Sequence, residues 1–166
     1  MPEHSPSLRI RPAREEDCAV IVELIRGLAQ FEKLTHVFEA TPEHLREHLF
    51  GERPCAEVLI GEWEGKPVAF ALFFQNYSTF LCRPGLYLED VFVVPEFRSK
   101  GIGKAMLVRL AQIAVERGCG RFEWAVLDWN TKAIDFYKRL GAVAMDDWTI
   151  FRMSGDSLKN FAEGKA

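Results

Sequence analysis

Apolar residues recur with two different periods along this chain. Leu8-Arg9-Ile10-Arg11 alternates and predicts a short first strand, closed by Pro12. Val20, Ile21, Leu24, Ile25 and Leu28 then fall at helical spacing, with Asp17 placed as N-cap, and the helix runs out at Phe31-Glu32-Lys33-Leu34. Thr41-Pro42 opens a second helix, an N-cap followed by proline at the first helical position, and Gly51 closes it. Residues 56–63 and 66–76 predict two strands around the turn Glu64-Gly65-Lys66. Residues 77–85 predict a loop. Residues 86–94, apolar and β-branched, predict a central strand buried on both faces and ended by Pro95.

An amphipathic helix from about Lys104 to Arg117 follows, with Leu107, Leu110, Ala111 and Ala114 on its apolar face and Gly118 as its stop. Residues 121–127 predict another strand. Asn130-Thr131 caps a helix that carries Ile134, Phe136, Tyr137 and Leu140, and Gly141 ends it. Residues 148–153 predict a last strand, and the tail from Ser154 carries no signal. The order β-α-α-β-β-β-α-β-α-β is a mixed sheet with helices on both faces, an α/β class in the broad sense, or α+β.

Composition narrows the picture only a little. A chain of 166 residues, 48% hydrophobic and 27% charged, suits one domain spanning 1–166. Its net charge of −3 argues against nucleic acid and favours a cationic small molecule. Cys18, Cys55, Cys82 and Cys119 form no C-x-x-C pair, which suits free thiols in a reducing cytoplasm. No run approaches the ~20 apolar residues of a membrane span, and residues 1–11 lack an export-signal core, so no membrane partner is expected.

The chemistry concentrates where the central strand meets its helix. Strand, glycine-rich turn, helix start is an arrangement that binds anions, because the first-turn N–H groups and the helix dipole point at one place. Gly101 and Gly103 let the backbone approach a phosphate, and Arg98 and Lys100 add positive charge. A nucleotide-triphosphate loop fails because Arg98 stands at its first glycine and Ala105 at its Ser/Thr. A dinucleotide fingerprint fails because Met106 takes the third glycine. His44-Leu45-Arg46-Glu47-His48 matches a zinc-helix pattern, but the helix is short and shows no third ligand. Two surface histidines are the expectation there, and no metal.

The remaining pattern, Arg98-x-x-Gly101-x-Gly103, resembles the acyl-CoA pyrophosphate loop of the GNAT superfamily of N-acetyltransferases. Leu88-Glu89-Asp90-Val91-Phe92-Val93 resembles that family's central strand, whose backbone binds the pantetheine arm. Asp128-Trp129-Asn130 and Phe136-Tyr137-Lys138-Arg139-Leu140-Gly141-Ala142 resemble its CoA-contacting asparagine and its tyrosine-bearing helix. More narrowly, Arg9-Ile10-Arg11-Pro12-Ala13, Tyr87-Leu88-Glu89-Asp90 and Phe136-Tyr137-Lys138-Arg139 resemble the diamine acetyltransferases (spermidine/spermine N-acetyltransferase-like). The resemblance covers essentially the whole chain. It implies a three-layer fold with a mixed, mostly antiparallel sheet of about 6–7 strands, acetyl-CoA as donor, and a homodimer.

By the same resemblance, Glu89 is the group that draws the amine and takes its proton, and Tyr137 protonates the departing thiolate. CoA is expected on Val91, Phe92, Val93, Arg98, Ser99, Lys100, Gly101, Ile102, Gly103, Lys104, Asn130 and Ala133. The amine is expected near Phe31, Glu32, Ser78, Thr79, Glu89 and Leu127. A carboxylate inside an apolar strand is costly without a task or partner, which supports Glu89 independently of the family. For Tyr137 the residues alone favour core packing on a helix face. Asp90 has no assigned role, and alternation puts it on the face opposite Glu89.

Polyamine-specific members surround their long cation with carboxylates, whereas here Lys33, Leu34, Thr35 and His36 follow Glu32. The Tyr77-Ser78-Thr79 loop and residues 125–130 resemble the branch associated with thialysine, S-(2-aminoethyl)-cysteine. Its thioether lowers the pKa of the terminal amine and makes the neutral nucleophile easier to obtain. Two other readings stay open: acetylation of a protein terminus or lysine, and a non-catalytic CoA-binding sensor.

Overall fold

The structure, a computed structural model, describes residues 7–165 in two compact units, Met1–Ala125 and Val126–Ala166. The expectation about an export signal in residues 1–11 falls partly on residues 1–6, which lie outside the described residues. The first unit holds β1 (Leu8–Pro12), α1 (Cys18–Phe31), α2 (Pro42–Phe50), β2 (Glu57–Trp63), β3 (Lys66–Ser78), β4 (Arg83–Val93), α3 (Ile102–Glu116) and β5 (Phe122–Trp124). The strands lie in the order β1-β2-β3-β4-β5, antiparallel throughout except for the parallel pair β4–β5. The described sheet therefore has five strands, where 6–7 were expected.

Alternation along the strands builds three layers. Ile60, Phe70 and Phe92 join Ile21, Leu24 and Leu28 of α1 in one core. Contact there is close: a Cβ at Gly27 would stand 3.0 Å from the Phe92 ring, which would have to give by a few tenths of an ångström to admit it. On the other face, Gly61 looks toward Met106 and Ile102 of α3, and small residues such as Ala69 and Ala71 leave room for that helix. Burial of α3 runs through Ile102, Met106, Leu107, Leu110, Ile113 and Ala114. Two expectations fail here: Ala111 is exposed, and the helix starts at Ile102, ahead of Lys104. Gly101, with φ 79°, supplies a left-handed N-cap that lets the first turn begin directly after the loop.

Asp17 precedes α1 but does not cap it with its side chain. Its carboxylate instead takes Arg11 at 2.7 and 2.9 Å and the Arg14 N–H at 2.7 Å, while Arg11 Nε reaches Glu62 at 2.8 Å. Arg11 holds the Asp17 carboxyl below its usual range, so this contribution to stability is present at neutral pH and is lost as pH falls through the lowered value. Breaking such a pair from one side strands a buried charge, at a cost on the order of 3–5 kcal/mol. This cluster ties β1, β2 and the start of α1 together.

The expected loop at 77–85 is mostly strand. β3 continues to Ser78 and β4 begins at Arg83, leaving a four-residue connection. β5 is only three residues long, against the expected 121–127, because its ladder with β4 ends at Leu88↔Trp124, where β4 becomes irregular. Thr41 caps α2 as expected, its Oγ1 accepting the His44 N–H at 3.2 Å.

The second unit holds α4 (Thr131–Arg139) and α5 (Gly155–Ala162), the latter in the tail that carried no sequence signal. The expected strand at 148–153 does not form. A strand needs a neighbour for its backbone groups, and among the described residues this unit contains none.

Candidate active site

The site is built on a defect in β4. Phe73 faces Leu88 and Leu72 faces Asp90, so Glu89 is an extra residue with no partner on β3. Such a bulge bends a strand and re-aims its side chains. It also removes the strict alternation that was expected to hold Glu89 and Asp90 on opposite faces. Glu89 is exposed and Asp90 half-buried. β4 is thus not buried on both faces: Leu86, Leu88 and Phe92 are enclosed, while Tyr87, Val91 and Val93 are only partly covered.

The bulge also opens an edge. Val94 donates to Val68 O at 2.9 Å, which by antiparallel alternation turns Phe92 and Asp90 toward β3 and leaves the backbone groups of Val91 and Val93 on the other side. β5 has ended there, so among the described residues no strand pairs that edge. Val91 and Val93 therefore fit the expected pantetheine contacts. Phe92 does not: its backbone belongs to the β3 ladder, and its side chain is in the core.

Two carboxylates, Glu32 and Glu89, lie within electrostatic reach of a third, Asp90, at the bulge. Asp90 is pushed up to about 6, first by burial and then by repulsion from Glu89 and Glu32. Glu32, which follows α1, is itself raised by burial. Tyr87 is raised as well, by burial and by Glu89, Glu123 and Asp90. Asp90 is the candidate that the sequence left unassigned, because its proximity to Glu32 depends on how α1 crosses the sheet.

Beyond Val93 the chain turns through Pro95–Phe97 into the loop 98–101. Ser99 and Gly101 both have left-handed backbones, φ 64° and 79°. The first helical hydrogen bond is Ala105 N–H to Gly101 O at 3.0 Å, so the amides of Ile102, Gly103 and Lys104 precede the ladder. A Cβ on Gly103 would find only Val93 Cγ2, at 3.9 Å, and one on Gly101 nothing. That cradle suits a pyrophosphate. The charged side chains contribute less than expected: Arg98 is turned onto Val93 O and two aromatic rings, and Lys100 lies 5.3 Å above the Trp63 ring.

Other expected residues fall elsewhere. Ser78 is buried, and its Oγ accepts the Leu81 N–H at 3.2 Å, holding the hairpin turn. Its partner Arg83 is six residues from Glu89, a distance of about 20 Å at ~3.3 Å per residue. Ser78 and Thr79 are not brought to the carboxylates within this unit. In the second unit, Asn130 caps α4, its Oδ1 accepting the Ala133 N–H at 3.3 Å, so both groups expected on CoA already have a local partner. Leu127 O accepts the Asn130 N–H at 2.9 Å. Tyr137 is half-buried on α4, its ring 5.6 Å from that of Phe136.

A groove of about 460 Å³ lies along α3 beside Ile10 of β1, and its lining reaches the phosphate loop at Gly101 and Lys104. His44 and His48 stack at 6.4 Å on exposed α2, and no group of three possible metal ligands occurs among the described residues. No helix among the described residues is long and apolar enough to cross a membrane.

Comparison with known proteins agrees with this geometry. The model of the acetyltransferase (GNAT) family matches residues 22–142. The chain is 41% identical to the thialysine N-epsilon-acetyltransferase of Mus musculus, over 94% of this chain and 98% of that one. It is 34% identical to the L-ornithine N5-acetyltransferase NATA1 of Arabidopsis thaliana, over 96% and 92%. Among solved structures, an integron cassette protein from V. cholerae has the same fold, with a TM-score of 0.80 at 24% identity over 95% of this chain and 98% of that one. A family whose donor is acetyl-CoA accounts for a bulged strand with a free edge, leading into a helix start with uncommitted amides. The chain belongs to the GNAT family and is an N-acetyltransferase.

Proposed function

We propose that this enzyme moves the acetyl group of acetyl-CoA to the primary amine of a small molecule, a thialysine-like or ornithine-like amino acid or a diamine. The observation that carries this reading is the grouping of Glu32, Glu89 and Asp90 at the bulge of β4. The names of the mouse and Arabidopsis relatives support the same substrate class. Both units act as one acetyltransferase domain, 1–166, a reading supported by a family match that runs across their boundary.

A lysine-like amine has pKa ~10.4 and arrives protonated. The carboxylates attract that cation, and Glu89, with Asp90 next to it, takes its proton directly or through water. Acetyl-CoA supplies an activated thioester and leaves as the thiol. The Val91 N–H, on the open edge, stabilises the charge that develops on the acyl oxygen. The amides of Ile102, Gly103 and Lys104 hold the pyrophosphate. Tyr137 returns a proton to the leaving sulfur, an assignment that rests on the family motif. A homodimer belongs to the same reading, again on kinship, and sedimentation showing only monomer at micromolar protein would remove it.

Thiol release across a panel of amines tests the substrate class. The compact trio of carboxylates neutralises one ammonium, and the outer ammoniums of spermidine lie beyond it. Thialysine is therefore expected to exceed spermidine in kcat/KM by at least ~10-fold, or ~1.4 kcal/mol of transition-state discrimination. Replacing Ser78 and Thr79 together by alanine is expected to leave thialysine kcat/KM within about twofold, since substitutions remote from the reacting groups rarely act on the chemical step. Equal efficiencies for the two amines overturn the substrate choice. Activity confined to peptides moves the enzyme to the protein-acetylating class, and CoA binding without thiol release from any amine makes it a sensor.

A further inference from the structure

Arg98 stands first in the phosphate loop, yet its side chain is engaged away from the helix start. Its Nε donates to Val93 O at 3.0 Å. Its guanidinium lies over the Phe31 ring, 4.5 Å from the centroid, and 5.5 Å from that of Phe92. Phe31 is the last residue of α1, and the next residue is Glu32. One planar cation thus joins the end of β4, the core ring beneath it and the end of α1.

We propose that Arg98 is a positioning residue of the amine site rather than a phosphate ligand: it clamps the end of α1, and with it Glu32, against β4 beside Glu89 and Asp90. This rests on the acetyltransferase reading and deepens it. A residue used only to neutralise phosphate has no need of a flat face, and lysine would replace it. This one uses its plane twice and its Nε once, which an ammonium cannot reproduce.

The test compares acetyl-CoA with S-acetylpantetheine, which lacks the pyrophosphate, using thialysine and the Arg98→Lys, Arg98→Gln and Phe31→Leu variants. Arg98→Lys is expected to lower amine kcat/KM at least ~10-fold while the CoA dissociation constant moves less than about threefold. The same loss is expected with S-acetylpantetheine. Phe31→Leu is expected to reproduce it, and the double variant to be little worse than either single change, as for groups that act together. A loss that vanishes with S-acetylpantetheine overturns the clamp. So does an Arg98→Lys enzyme with normal activity beside an Arg98→Gln enzyme that binds CoA poorly.

Amide exchange gives a readout independent of turnover. Glu32 N–H bonds Leu28 O at 2.9 Å and Leu34 N–H bonds Ala29 O at 2.8 Å. Arg98→Lys is expected to speed exchange of these two amides while α3 is unchanged, and unaltered exchange overturns the clamp. Wild-type protein inert toward every amine refutes the acetyl-transfer reading instead, and amide exchange still decides the role of Arg98.

Discussion

Tyr137→Phe is expected to lower turnover by ~10²–10⁴ while leaving CoA affinity nearly unchanged, the range for loss of a general acid. The exchange removes one oxygen and keeps the ring, so the contact with Phe136 at 5.6 Å persists. A phenol and an alkyl thiol have reference pKa values within ~1.5 units, and a proton passes between groups so matched without a large barrier. Without an acid the thiolate must leave unprotonated or wait for water. Packing alone predicts a different result. No residue of α4 is fully buried, and a phenylalanine at 137 that keeps this packing would then leave turnover unchanged. Steady-state turnover together with calorimetric CoA titration separates the two, and wild-type turnover returns Tyr137 to packing.

Asp90→Asn is expected to act on activity and stability in opposite directions. The amide cannot take a proton, so kcat/KM falls by ~10² or more, and the acid limb of its pH profile near 6 disappears. The fold, however, gains. The carboxyl titrates at about 6 in the folded chain against ~3.9 when unfolded, so the folded state binds the extra proton between those values. Stability therefore declines as pH rises from about 4 to about 6, and the penalty is complete above 6. Asparagine removes it, for a gain of about 2 kcal/mol at neutral pH after allowance for partial exposure, and the gain shrinks as pH falls below 6. Denaturant titrations at pH 7.5 and pH 4.5 measure this. A variant destabilised at both values places Asp90 in the scaffold and outside the amine site.

Glu89 and Asp90 show how far alternation carries and where it stops. Glu89 was legible as a candidate, because a carboxylate in an apolar strand is costly without a task or partner, although the structure leaves it exposed. The break in alternation between Glu89 and Asp90 was not legible, because the bulge is set by how β3 pairs with β4, one residue out of step across Leu72 and Phe73. Ser78 is the converse case. Its residue type and loop-like neighbours suggested a ligand for the substrate, but strand pairing carries β3 on to Ser78 and turns the hydroxyl inward onto Leu81.

The chain by itself determined the elements whose signals are local. These are the Thr41-Pro42 helix start, the turn at Glu64-Gly65, the helical spacing of α1 and the glycine loop before α3, which identify the family and the donor. Each depends on backbone preferences acting over a few residues, so each can be read in one dimension. Tertiary structure decided which of those elements meet. Glu32 reaches Asp90 only because α1 crosses β4 over Gly27, and Arg98 reaches Phe31 only because the loop folds back on Val93. Residues 148–153 have a strand's composition and form none, because pairing needs a second strand that composition does not supply. Proximity between residues more than fifty positions apart follows from packing and register, and no periodicity along the chain contains it.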